Sequence, residues 1–177
     1  MYQIRSSVFE TNSSSTHSIC IDRTPVKQYP SHIHFRTGEY GWENGEYDLA
    51  DYLFTAMCEL YDAGELEDKL NHVREVLARH DIECDFQLPD KHSYWWGIDH
   101  SYETAEFVNA VMSNDDLLLR ALFGSESCVY TGNDNEEREV FPMKDCCDAT
   151  YWDWGTGKEV PNPDHHPDKY EYFSKGN

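Results

Sequence analysis

Residues 8–19, VFETNSSSTHSI, place several reactive side-chain types within one short stretch. Ser13, Ser14 and Ser15 stand between Asn12 and Thr16, with Glu10 before them and His17 after. Three chemistries fit these types. One serine could be a nucleophile, with His17 as its base and Glu10 as the acid that orients the base. The hydroxyls and turn amides could cradle a phosphate or nucleotide, with Arg5 as counter-charge. Asn12 and the serines could also bond their own backbone in a turn. Triads assemble from distant segments, and no G-x-S-x-G elbow is present. The turn is therefore the preferred reading, with Arg5, Glu10, Asn12, Ser13, Ser14, Ser15 and His17 kept as an alternative ligand cradle.

Other residues raise narrower questions. His32 and His34 alternate on a strand-like segment and would share one face, as paired metal ligands do. No third or fourth ligand is identifiable, so a half-exposed histidine pair is the expected case. The PDHHPD segment lies in a proline-rich stretch without the upstream strand-borne aspartates of a phosphoesterase. The six cysteines form no C-x-x-C pair, and adjacent Cys146 and Cys147 would point to opposite faces of an extended segment. No catalytic residue, cofactor or metal is assigned. Trp95–Trp96 and the YWDW stretch at 151–154 suit either interface anchors or cover for the core.

Charge is the strongest compositional signal. The chain has 34 acidic against 14 basic residues in 177, a net charge of −20. Such a field disfavours direct contact with nucleic acid or an anionic membrane and favours a basic partner. Between Thr37 and Asp68 stand Glu39, Glu43, Glu46, Asp48, Asp51, Glu59, Asp62, Glu65, Glu67 and Asp68, with no lysine or arginine among them. A rigid scaffold holding these carboxylates close together would present charge in the manner of a nucleic-acid backbone. A solvated face is the alternative.

The elements that must position these residues read as an α+β fold, with short antiparallel strands near both ends and about four central helices. Strands are expected at 2–9, 16–22, 31–36, 82–86, 127–131 and 138–142. The segment 37–47 reads as a loop. Asp48 caps a first helix carrying Leu49, Leu53, Phe54, Met57 and Leu60, with Gly64 as its end. A second runs from Leu66 to near His80. Ser101 starts a third through Met112, and Asn114 or Asp115 a fourth that ends at Gly124. Residues 1–160 are expected as one domain and 161–177 as a polar, partly ordered tail. No apolar run approaches the roughly 18 residues of a membrane span. MYQIRSSVFE lacks a signal-peptide pattern, so a cytoplasmic protein with free thiols is expected.

The stretch RSSVFETNSSSTHSI resembles the opening of a family of small proteins from phages and prophages of Firmicutes, with looser similarity in LFGSES…TGNDN at 122–135. In size and charge the chain is also similar to anti-CRISPR proteins that block Cas9, a likeness of type without a shared motif. The resemblance implies a phage-encoded inhibitor acting by binding in the bacterial cytoplasm. It carries over no residue roles. Its partner would be a basic, nucleic-acid-binding host nuclease such as Cas9, met by the ten-residue acidic face. A nucleotide- or phosphate-transferring enzyme built on the Arg5–His17 segment is the alternative.

Overall fold

In the computed structural model, which describes residues 15–89, 96–133 and 147–175, the chain folds as α+β around one deeply buried helix. That helix, α1 (Leu49–Leu60), begins where Asp48 Oδ1 accepts the Ala50 N–H at 2.7 Å. The bond satisfies a first-turn donor that has no partner within the helix. Leu49, Leu53, Phe54 and Met57 are buried, and so are Tyr52, Thr55 and Ala56. A helix apolar on most of its surface has to be covered on most sides.

The chain then turns through Tyr61 and Asp62 into α2 (Ala63–Ala78). Asp62 Oδ1 accepts the N–H groups of Gly64 and Glu65 at 2.9 and 3.0 Å. Gly64 therefore lies in the first turn of α2 and does not end α1 as expected, because the aspartate cap outweighs glycine's modest helix penalty. A 3-10 turn at Ser101–Thr104 precedes α3 (Ala105–Met112), so the third helix begins later than Ser101. Asn114 Oδ1 caps α4 (Asp115–Phe123) by accepting the Leu117 N–H at 3.1 Å, and Gly124 ends it. No described helix is long and apolar enough to cross a membrane.

Strands β1 (Ser15–Asp22), β4 (Gly45–Tyr47), β7 (Cys128–Asn133) and β10 (Tyr170–Lys175) form an antiparallel sheet in the order β10-β1-β7-β4. Two parallel pairs flank it, β2 (His32–Arg36) with β5 (Glu83–Gln87) and β3 (Glu39–Tyr40) with β6 (Gly97–Ile98). A hairpin of β8 (Thr150–Asp153) and β9 (Lys158–Pro161) is paired within itself.

Two further expectations change. The 37–47 segment contains β3 and β4, and the expected tail supplies β10, with Ile19 opposite Phe173 and Cys20 opposite Tyr172. The YEYFSK segment gains order by completing the ladder along β1 and packing Phe173 on Phe107. Arg120 locks this strand to the helices: it pairs with Asp116 at 2.9 Å and Glu171 at 3.3 Å and donates to the Asp22 carbonyl at 3.1 Å. The strands expected at 2–9 and 138–142 fall wholly outside the described residues.

Candidate functional site

Of the serine segment, Arg5, Glu10, Asn12, Ser13 and Ser14 lie outside the described residues, while Ser15 and His17 open β1. Both are buried, His17 with 1% of its surface exposed. Strand alternation puts His17 on the same face as Ile19 and Ile21, against α1. There His17 Nδ1 lies 2.6 Å from Tyr52 Oη, a hydrogen bond inside the core. Gly41 packs so close to the ring that a Cβ there would stand 2.6 Å from Nε2. A general base has to reach its substrate's proton. His17 is enclosed by Tyr52 and the Gly41 backbone, so in this arrangement it positions β1 on α1.

The ten acids do not act alike. Asp48 and Asp62 cap helices. Asp51 accepts the Arg36 N–H at 2.8 Å, tying β2 to α1; burial, reinforced by nearby Asp48, raises its carboxyl above the usual range against that bond. Glu59 accepts the Ile98 N–H at 2.8 Å and secures β6. The residue as a whole is exposed, yet partial desolvation of its carboxylate raises its pKa despite that bond. Glu67 pairs with Arg74 at 2.9 Å.

The remaining five, Glu39, Glu43, Glu46, Glu65 and Asp68, are exposed and form no ion pair with a described basic residue. They fall into two groups. Glu39, Glu43 and Glu46 lie along the β3–β4 segment around half-exposed Trp42, and the Glu43 carbonyl accepts the Thr131 hydroxyl at 2.8 Å. Glu65 and Asp68, three residues apart, share one face of α2 with about 5–6 Å between Cβ atoms. Meanwhile Arg23, Arg74, Arg79, Arg120 and Lys169 are each paired with a carboxylate.

The histidine pair has a structural partner that sequence spacing missed. His32 Nε2 lies 3.0 Å from Asp85 on β5, and His34 Nδ1 contacts the other oxygen of the same carboxylate. Among the described residues no group of three or more His, Cys, Asp or Glu has the arrangement of a metal site. The described cysteines Cys20, Cys58, Cys84, Cys128 and Cys147 form no disulfide with one another. Burial pushes the Cys58 thiol up to about 12, far from a neutral-pH nucleophile.

Sequence reasoning also missed a cleft of about 430 Å³ over the outer face of the main sheet, where Glu46, Tyr130, His166 and Lys169 meet. The alternation of YEYFSK was the available signal. Trp95 lies outside the described residues, and Trp96 is half-buried. Tyr151, Trp152 and Trp154 are exposed, so the YWDW stretch does not cover the core. Compared with protein-family models, curated proteins and solved structures, the chain finds no match.

Proposed function

We propose that this chain is an acidic binding protein that occupies the nucleic-acid groove of a basic host protein, with Cas9 and its guide as the first target to test. In this reading it is phage-encoded, acts in the cytoplasm of the infected bacterium and inhibits by denying the nuclease its DNA. The observation that supports it is the division of labour among the carboxylates. Five stabilise or neutralise the fold, whereas Glu39 and Glu46 on short strands, Glu43 in the bend between them, and Glu65 and Asp68 on a capped helix are exposed and form no ion pair among the described residues. Unpaired like charges repel one another in the free protein. A basic groove would supply the missing cations. The burial of Ser15 and His17 gives the phosphate-cradle alternative no support.

The test is a binding titration against Cas9 with its guide at two salt concentrations, comparing wild type with Glu39→Lys/Glu43→Lys/Glu46→Lys. These three positions avoid the helix caps and the Arg36 and Ile98 contacts. Reversal should weaken binding strongly, mainly by slowing association. Wild-type affinity should fall with salt, because exposed charges are screened over about 10 Å at 0.1 M. Equal binding by the two proteins, or none by wild type, would remove the support for this target.

A further inference from the structure

Three of the largest exposed apolar side chains fall within four residues of one hairpin. Trp154 is 88% exposed, Trp152 52% and Tyr151 49%. Trp152 and Trp154 stand edge to face, with ring centroids 6.3 Å apart at 75°. Isolated exposed apolar residues are ordinary, but a contiguous patch marks a contact site.

Hydrogen bonds order the backbone of the turn that carries these rings. Asp153 Oδ1 accepts the Gly155 N–H at 2.8 Å, and Oδ2 accepts the Thr156 hydroxyl at 2.7 Å. The Asp153 carbonyl takes the Gly157 N–H at 2.8 Å, with Gly157 at φ +65°. At the base, Asn162 donates from its side chain to the Asp148 carbonyl and from its backbone to Ala149, both at 2.9 Å. A preorganised loop loses less entropy on binding than a flexible one.

The charge around the rings identifies what they suit. Glu159 stands directly across the strands from Trp152, with Oε1 accepting the Thr150 hydroxyl. Asp148 at the base and Asp153 on β8 add two further acids, against Lys158, opposite Asp153, as the one lysine or arginine of residues 148–162. An indole face beside a carboxylate fits a guanidinium: the plane stacks on the ring while its N–H groups reach the oxygens. An ammonium offers no such plane.

From this geometry we infer that the β8–β9 hairpin is a docking site for an arginine-rich segment of a basic protein, with Trp152 and Trp154 stacking on guanidinium groups. The inference deepens the proposed function, since an arginine-lined groove is such a surface, but its test is separate. Labelled nona-arginine and nona-lysine peptides are titrated with wild type and with Trp152→Ala/Trp154→Ala, at one fixed salt concentration. The double substitution leaves net charge unchanged, so general electrostatic attraction predicts equal binding by both proteins. Stacking predicts that nona-arginine binds wild type more tightly than nona-lysine does. It also predicts that the variant loses about 5- to 30-fold of that affinity, given the usual worth of two exposed ring–cation contacts. Circular dichroism should show the variant folded, because both rings are largely outside the core.

Equal binding of the two peptides to wild type, or of nona-arginine to both proteins, overturns the inference. A wild-type dimer that Trp154→Ala dissolves would assign the hairpin to self-association and also overturn it. The peptide comparison decides the hairpin's role whatever Cas9 does.

Discussion

Replacing Tyr52 by phenylalanine removes one oxygen atom from the centre of the protein. The ring stays packed against Tyr40 and Phe107, at centroid distances of 5.1 and 6.1 Å. What is lost is the 2.6 Å bond to His17 Nδ1, in a place that water does not reach. Leaving a buried polar group without its partner costs about 1–3 kcal/mol, more than the net worth of an average hydrogen bond. For a chain of this length each kcal/mol lowers Tm by about 2–4 °C, so Tyr52→Phe should melt about 2–12 °C below wild type. Urea unfolding should show a lower midpoint with an unchanged slope, because the surface exposed on unfolding is the same. In a His17→Phe background the same substitution should cost much less, since both bonding partners are then apolar. Binding to partner peptides should persist throughout. An unshifted midpoint, or fully additive effects of the two substitutions, would refute the buried bond. Loss of binding at an unchanged midpoint would show that the β1 histidine serves a ligand instead.

Three further outcomes follow from other contacts. Gly41→Ala places a Cβ 2.6 Å from His17 Nε2 on a backbone at φ +98°, and should destabilise by about 2–4 kcal/mol, read from urea midpoints; a neutral effect would contradict the close approach. Glu59 binds its proton more tightly folded than unfolded, because burial raises its pKa. Its contribution is therefore full below the ordinary glutamate range and is lost as pH rises through the folded value. Glu59→Gln keeps an acceptor for the Ile98 N–H and should flatten the decline in stability from about pH 4.3 upward; identical pH slopes in the two proteins would refute this. The Glu39, Glu43 and Glu46 reversal should leave Tm unchanged or higher, since it relieves repulsion without touching a cap; a large drop in Tm would show that these carboxylates support the fold.

What the chain states locally, it states in its helices. Asp48 and Asn114 cap N–H groups two and three residues on, and the apolar spacing of Leu49, Leu53 and Met57 marks the buried stripe directly. The mixture of strands and helices, the net charge and the absence of a C-x-x-C pair were equally legible. Gly64 was not, because a glycine after a helix and one in the first turn of the next look alike until the Asp62 side chain is seen to bond it. The two- and three-residue strands β3, β4 and β6 have no period to detect and exist only through their neighbours. YEYFSK is long enough to alternate, but it becomes an edge strand only where β1 offers its ladder.

The site divides along the same line. Sequence identified ten acids, but not which of them the fold would use, since Asp51 meets Arg36 and Glu59 meets Ile98 across 15 and 39 residues. It offered His17 as a base, and the partner that encloses it, Tyr52, lies 35 residues away. Trp152 and Trp154 carried no sign of exposure, because a tryptophan suits a core as well as an interface. Helix caps and apolar spacing act over one or two turns, so a linear chain records them. Pairing, burial and free charge depend on which distant segments meet when the sheet closes, and only the folded chain decides that.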